Sequence, residues 1–353
     1  MKVFADFHHS ALMHSLVLLF EKRLGGTVYR PIGKEWHERG FWHVYEHPAT
    51  VEQFLSLDQG YRPVDGTPPL NQILAGAVDE GEGVFYCLDP EHESFNRAIT
   101  FDRFCQEKFD IIICSIPEHI EPFQRLIRDH MPDAKLILQV GNSWPWETYS
   151  VQNVMASTAV RPVPADRNVV FYHQEFDLDT FKPSTEDMPV VARISSFINC
   201  LPTTADYLLF QRAADALPQF RFYSFGAGCP DGFKNGVRGV AAGIRGAMFV
   251  WHVKPGGDGF GHVIHNAFAI GRPVITRKSH YAGCLAENLM VDGETCIDLD
   301  SHTEAESWDI ITRIGNSPDE WRAMARAASD RFKAVVDFDR EEQDIRAFLG
   351  KLR

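Results

Sequence analysis

Two groups of residues in this 353-residue chain combine types and spacings that chemistry can use. The first is the stretch DGFGHVIHN, Asp258 to Asn266: a carboxylate, a Gly259-Phe260-Gly261 turn, then a short apolar run. His262 and Asn266 stand four apart, which puts them on one face of a helix, while Val263, Ile264, Ala267 and Phe268 serve the core. The turn at Gly259–Gly261 and a second at Ala282-Gly283 each open a helix. Free backbone N–H groups at such a start can bind phosphate or sugar oxygens. Asp258, just ahead of its helix, also complements the helix dipole, an effect worth about 0.3–1 kcal/mol. The second group is His8-His9-Ser10 near the amino terminus, with Ser115 and Asn142-Ser143-Trp144. Adjacent His8 and His9 point apart in a regular strand, which speaks against a metal pair.

The elements that must position these residues follow a βαβ rhythm. Met1–Phe7 reads as a strand, Ala11–Leu24 as a helix stopped by Gly25-Gly26, and Val28–Arg30 as the next strand. Residues 32–82 are irregular and rich in aromatics, Pro and Gly. Phe109–Cys114 and Lys135–Val140 are continuous apolar runs of the kind buried on both faces of a parallel sheet. In open α/β sheets ligands bind beyond the carboxyl ends of strands, which gathers His8, His9, Ser10, Ser115 and Asn142 to Trp144 around one crevice. A Pro-containing connector follows, with a short strand at Val169–Tyr172. A second α/β half then reads as strands at Val190–Ile194, Phe220–Phe225, Ala247–Trp251 and Pro273–Thr276. Its helices fall near Thr204–Ala216, Gly261–Ile270 and Ala282–Asn288. Late helices cover 304–315, 318–335 and 340–352.

Composition bounds the rest. The chain is 44% hydrophobic and 24% charged, so it is a globular protein able to fill a core in each of two domains. A net charge of −13 argues against a large nucleic-acid footprint. Seven widely spaced cysteines without a CxxC pair read as reduced thiols of a cytoplasmic protein, not as a disulfide framework or zinc site. No run is long and apolar enough to span a membrane.

The second half resembles the retaining, nucleotide-sugar-dependent glycosyltransferases of the GT-B type, glycosyltransferase family 4 (group 1). Asp258-Gly-Phe-Gly261, Asn266, Ala267-Phe268-Ala269 and Gly271-Arg-Pro-Val-Ile275 stand where that family has an acid, Gly-Phe-Gly, a second acid eight positions on, small residues and Gly-x-Pro-Val-Ile. Ala282–Glu287 with Asp292-Gly293-Glu294 resembles its Gly-Gly-x-x-Glu loop and the Asp-Gly turn after it. Phe176–Pro183 resembles the entry into its second domain. The family's two Glu are Asp258 and Asn266 here, and Ile198 stands where a diphosphate-binding Lys is usual.

The resemblance implies two Rossmann-like domains facing across a cleft. The expected boundaries are 1–165 for an acceptor domain, 166–335 for a donor domain, and a helix at 336–353 crossing back to the first domain. It implies hexosyl transfer from a nucleoside diphosphate sugar to a hydroxyl acceptor (a glycan, a small molecule or a modified DNA base), with retention and with no metal or other cofactor. Asp258, Arg193 and His9 are assigned to the reacting centre, Arg193 facing the diphosphate with Arg245, Lys254 or Lys278 as substitutes for the missing Lys. Donor contacts fall to Gly259, Phe260, Gly261, His262, Asn266, Lys278, Gly283 and Glu287. Acceptor contacts fall to His8, Ser10, Asn142 and Trp144, with Trp146 as a further platform. Two alternatives remain: a phage-type DNA base glycosyltransferase, and a nucleotide-sugar-binding protein without transferase activity. Of the Asp-x-Asp triplets at 177–179, 298–300 and 337–339, the first sits in the connector and the last in a late helix region, and neither context suits a metal-dependent transferase.

Overall fold

The computed structural model describes residues 1–6, 9–33, 35–41, 83–89, 94–142, 145–158, 163–234 and 236–352. Two compact units divide the chain, one of Met1–Ser157, Pro162–Phe176 and Phe338–Arg353, the other of Thr158–Arg161 and Asp177–Asp337.

The first unit is built on an eight-stranded sheet. Its strands are β1 (Lys2–Ala5), β2 (Thr27–Pro31), β3 (Val84–Asp89), β4 (Ser94–Ile99), β5 (Ile111–Cys114), β6 (Lys135–Val140), β7 (Asn153–Ala156) and β8 (Asn168–Phe171). They lie in the order β3-β4-β2-β1-β5-β6-β7-β8, parallel except for the antiparallel β3–β4 pair at one edge. Alternation along β1 feeds two cores: Phe4 joins Trp36, Phe104 and Phe123 on one face, while Val3 and Ala5 join Leu16 and Phe20 on the other. Among the described residues, the helices of this unit before the connector are α1 (Ser10–Val17), α2 (Glu35–Glu38), α3 (Phe101–Gln106) and α4 (Ile120–His130), and α1 runs on as a π-helical segment, Leu18–Arg23.

The second unit holds a five-stranded parallel sheet: β9 (Arg193–Ser196), β10 (Arg221–Ser224), β11 (Phe249–Trp251), β12 (Val274–Thr276) and β13 (Cys296–Asp298), ordered β10-β9-β11-β12-β13. Around it pack α5 (Tyr207–Ala216), α6 (Gly236–Arg245), α7 (His262–Ile270), α8 (Glu304–Asn316) and α9 (Pro318–Val335). A capping box between Thr303 and Glu306 starts α8, and Ser317 with Pro318 starts α9. Arg272, 1% exposed, fastens the turn between α7 and β12 by donating to the carbonyls of Arg245 and Ser184. Burial, chiefly, lowers its pKa to about 10. The last helix, α10 (Phe338–Leu349), belongs to the first unit, so the chain does return there. Ile345 and Phe348 enter its core, and Arg23 reaches Glu175, Asp339 and Glu342.

Several sequence-based boundaries move. The strand expected at Val169–Tyr172 is β8, an edge strand of the first sheet. It pairs with β7, so the first unit extends to residue 176 and not to 165. The strand expected at Val190–Ile194 begins at Arg193, because its neighbours pair from Arg193 onward, and Val190 is left fully exposed. The helix expected near Ala282–Asn288 is a short 3-10 segment, Leu285–Leu289. Strands β3, β4, β7 and β13 and helices α2, α3 and α6 were not anticipated.

Candidate functional site

A set of polar side chains in the second unit lies beyond the carboxyl ends of β11 and β12. β11 delivers His252, whose ring is 2% exposed, and Lys254 follows two residues later. The chain then reverses through Gly256 and Gly257, both at positive φ, and returns Asp258 to the same place. A Cβ on Gly257 would lie 2.1 Å from the His280 carbonyl oxygen, so only glycine allows this approach. Asp258 Oδ2 pairs with His252 Nε2 at 2.6 Å, and Oδ1 pairs with the Lys254 ammonium. Burial alone would push this carboxyl up, but the hydrogen bond and charge of His252, with Lys254, hold it well below the usual carboxylate range. It is therefore a fixed anion and hydrogen-bond acceptor, not a proton donor.

Three further polar atoms lie in the same loops. His252 Nδ1, the Tyr281 hydroxyl and His280 Nδ1 are buried with no hydrogen-bond partner among the described residues. Tyr281 is 0% exposed and its ring centre lies 6.2 Å from that of His252; burial first, then Asp258, pushes its phenol far above the ordinary range. Buried polar atoms are nearly always satisfied, and a cluster left open beside an ionised carboxylate suits a ligand that brings its own donors and acceptors.

α7 starts at Gly261, which takes the left-handed conformation. The motif residues that follow split in role. Phe260 is buried and stacks on His265 at 4.0 Å, so it is a packing residue, not a ligand contact. His265 Nδ1 meets the Gly261 carbonyl at 2.9 Å and secures the first turn. His262 is half-buried, whereas Asn266 is 8% exposed with Oδ1 buried and unpartnered, so the expected open polar face is largely an interior one. Glu287 accepts from the Gly283 N–H at 2.7 Å, which ties that carboxylate to its own turn.

The expected cations part company. Lys254 is beside Asp258. Lys278 follows β12, its backbone N–H held by Asp298. Arg245 donates to the Thr180 carbonyl. Arg193 is the first residue of β9, at the amino end of a parallel sheet whose carboxyl ends carry His252 and Asp258, so it does not join the Asp258 site. Ile198, at the position of the missing Lys, is a core residue. The Asp-x-Asp triplets are engaged within the chain: Asp177 holds Thr180, Asp298 and Asp300 hold the loop after β12, and Asp339 holds Arg23.

In the first unit, the carboxyl ends of β1, β5 and β6 bring His9, Ser10, Ser115 and Asn142 to one end of the sheet, with His9 and Asn142 exposed. His8 and Trp144 lie outside the described residues. Trp146 is 1% exposed and part of the core, which removes it as a platform. Two buried residues that went unread in the sequence, Asp6 and His119, close on Ser115: Asp6 Oδ1 accepts from the Ser115 N–H and hydroxyl at 2.6 and 2.8 Å, and Oδ2 pairs with His119 Nδ1 at 2.7 Å. The signal available was an acid ending an otherwise apolar strand. His252 was missed in the same way, as a lone polar residue in the run FVWHV.

No protein-family model matches the sequence, and no curated protein matches it. Solved structures do. The Anabaena protein HepE in complex with UDP-glucose superposes with a TM-score of 0.61 at 14% identity, covering 100% of both chains. A mutant of TarM from S. aureus, in complex with fondaparinux, alpha-GlcNAc-glycerol and UDP, gives 0.62 at 9% identity over 99% of each chain. The sucrose-phosphate synthase of Thermosynechococcus elongatus gives 0.61 at 11% identity over 98% of this chain and 96% of that one. At such identities the likeness is one of fold, and the chain has the two-domain α/β architecture of the GT-B glycosyltransferases.

Proposed function

We propose that this protein transfers a sugar from a nucleoside diphosphate sugar to a hydroxyl acceptor, with retention. The observation that carries the reading is Asp258. It is an ionised carboxylate fixed by His252 and Lys254 directly ahead of a glycine-started helix, with three open polar atoms in the surrounding loops. Three full-length structural neighbours are described with UDP or UDP-glucose bound or as a sucrose-phosphate synthase, which supports a nucleotide-sugar donor.

In this reading Asp258 accepts hydrogen bonds from donor-sugar hydroxyls. His252 and Lys254 use about two of its four lone-pair sites and leave the others for the ligand. Tyr281 and His252 Nδ1 supply further contacts. The N–H groups at the start of α7 and the Lys254 ammonium face the diphosphate, where negative charge builds as the glycosidic bond breaks. Lys254 takes the part first given to Arg193. His9, Ser10 and Asn142 shape the acceptor side. With no side-chain nucleophile assigned, catalysis rests on positioning and leaving-group stabilisation. The step uses no metal, so EDTA should leave turnover unchanged.

A panel of nucleotide sugars, read by thermal shift and by nucleotide release, tests the reading. One donor should both stabilise the protein and release nucleotide in the presence of an acceptor. Asp258→Asn should lower that turnover by about 100-fold or more. Stabilisation without release would establish a binding protein instead, as the neutral Asn266 suggests. No response to any donor would overturn both readings. Salt-sensitive DNA binding would move the acceptor to a nucleic-acid base.

A further inference from the structure

Arg193 is the residue the site above leaves over, and its surroundings are unusual for the interior of a parallel sheet. It shares a cavity of about 470 Å³ with Ser195 of β9, Tyr223 and Phe225 of β10 and its following loop, and Lys234. The opposite wall is α6, which turns Gly239, Ala242 and Gly243 toward the hollow. Such a face is normally filled by apolar side chains. Here the helix supplies almost no side-chain volume, and the sheet supplies a guanidinium and a hydroxyl. A Cβ on Gly243 would lie 2.9 Å from Phe197 Cε1, so the glycine leaves that ring its place.

The cavity is cationic and shaped. The Arg193 guanidinium carbon lies 5.6 Å from the Tyr223 ring centre, and the Lys234 ammonium 4.0 Å from that of Phe225. The rings thus hold both cations from behind and leave their N–H groups to a ligand. Arg193 Nε is buried with no acceptor among the described residues, a donor that calls for one. Asp231 is the acid in the lining, and its Oδ2 accepts from the Ser224 N–H at 2.7 Å, so it is turned to hydrogen bonding and not to pairing with either cation.

We propose that this cavity is a second ligand site, distinct from the one around Asp258, for a hydroxyl-bearing phosphomonoester of sugar-phosphate size. Two cations from separate walls match a phosphate dianion, which offers three acceptor oxygens, better than they match a single carboxylate. The volume falls within the range of small-molecule sites and well beyond that of a bare phosphate. Asp231 and Ser195 remain to meet ligand hydroxyls. The cavity lies along the β9–β10 edge of the sheet, Asp258 lies past the carboxyl end of β11, and the cavity lining includes none of His252, Lys254, Asp258 or Tyr281, so the two sites can be separated by substitution.

Calorimetric titration of the full chain with glucose 6-phosphate, glucose and inorganic phosphate tests this. The ester should bind with a Kd below about 1 mM, glucose should not bind, and inorganic phosphate should bind at least about tenfold more weakly than the ester. Arg193→Gln and Lys234→Gln should each weaken the ester by about tenfold or more, as expected for loss of a charge-assisted hydrogen bond, and Arg193→Lys should restore part of the loss. Ala242→Leu, a change an α-helix accepts readily, should fill the hollow and abolish binding, with the thermal midpoint confirming that the variant is folded. Asp258→Asn should bind the ester as the wild type does. Three outcomes would overturn the proposal: no binding of the ester, inorganic phosphate binding as tightly as the ester, or ester affinity unchanged in Arg193→Gln and Ala242→Leu. Loss of ester binding in Asp258→Asn alone would place the ligand in the Asp258 site. None of these outcomes depends on whether the chain transfers sugar.

Discussion

At Asp258 both carboxylate oxygens are already engaged within the chain, by an imidazole and an ammonium, before any ligand arrives. That arrangement has a consequence for stability as well as for binding. The folded pKa of Asp258 lies below its unfolded value of about 3.9. Between the two values the unfolded chain binds more protons, so stability rises with pH across that window. The contribution is complete above about pH 5 and is lost as pH falls through the folded value. Urea unfolding of Asp258→Asn from pH 3 to pH 7 should therefore show a flatter acid limb than the wild type. Identical slopes would mean that the pair with His252 and Lys254 does not hold the charge. Asp258 itself was legible because it precedes Gly-Phe-Gly. Its partners were not, because the pairing depends on a chain reversal through two glycines that no local periodicity reveals.

Among the elements, the loop between β11 and α7 and the strand β9 matter most. The loop brings its backbone against the His280 carbonyl, and Gly257 at φ 69° makes this possible. Gly257→Ala combines a disfavoured conformation with a contact no real Cβ makes, so the loop must shift. Nucleotide release should fall by about tenfold or more while circular dichroism stays as in the wild type; unchanged turnover would show that the loop tolerates movement. β9 shows how an element can be right in kind and wrong in register. Its apolar run begins at Val190, but β10 and β11 offer pairing partners only from Arg193 and Ile194 onward. Arg193 thereby becomes the first residue of the strand, at the opposite end of the sheet from the loops around Asp258.

At the scale of the whole chain, the last helix completes the first unit across more than three hundred residues. Asn168 donates to the Phe348 carbonyl at 3.1 Å, His173 pairs with Glu341 at 2.5 Å, and Ile345 and Phe348 join the core that holds Val3 of β1 and Leu16 of α1. Phe348 is 3% exposed, so Phe348→Ala should cost about 3–5 kcal/mol. Native-state hydrogen exchange should then show lost protection in β1, β7 and β8 while β9 to β13 keep theirs. Uniform loss in both sheets, or none in the first, would contradict the assignment of α10 to this unit.

The sequence by itself determined what depends on neighbours along the chain. Buried strands announced themselves as apolar runs, α4, β6 and α9 fell within the residues their patterns marked, and Gly25, Gly261 and Gly271 stand at positive φ where a turn or cap required them. The tertiary structure decided what depends on pairing and return: that His252, Lys254 and Asp258 meet, that Asp6 closes on Ser115 and His119, that Arg193 opens onto a separate cavity, and that the final helix fills the first core. The physical reason is the same in each case. Local conformation follows from propensity and hydrophobic period within a few residues. The register of a strand, the reach of a loop and the destination of a helix follow from contacts whose partners lie far away in the chain.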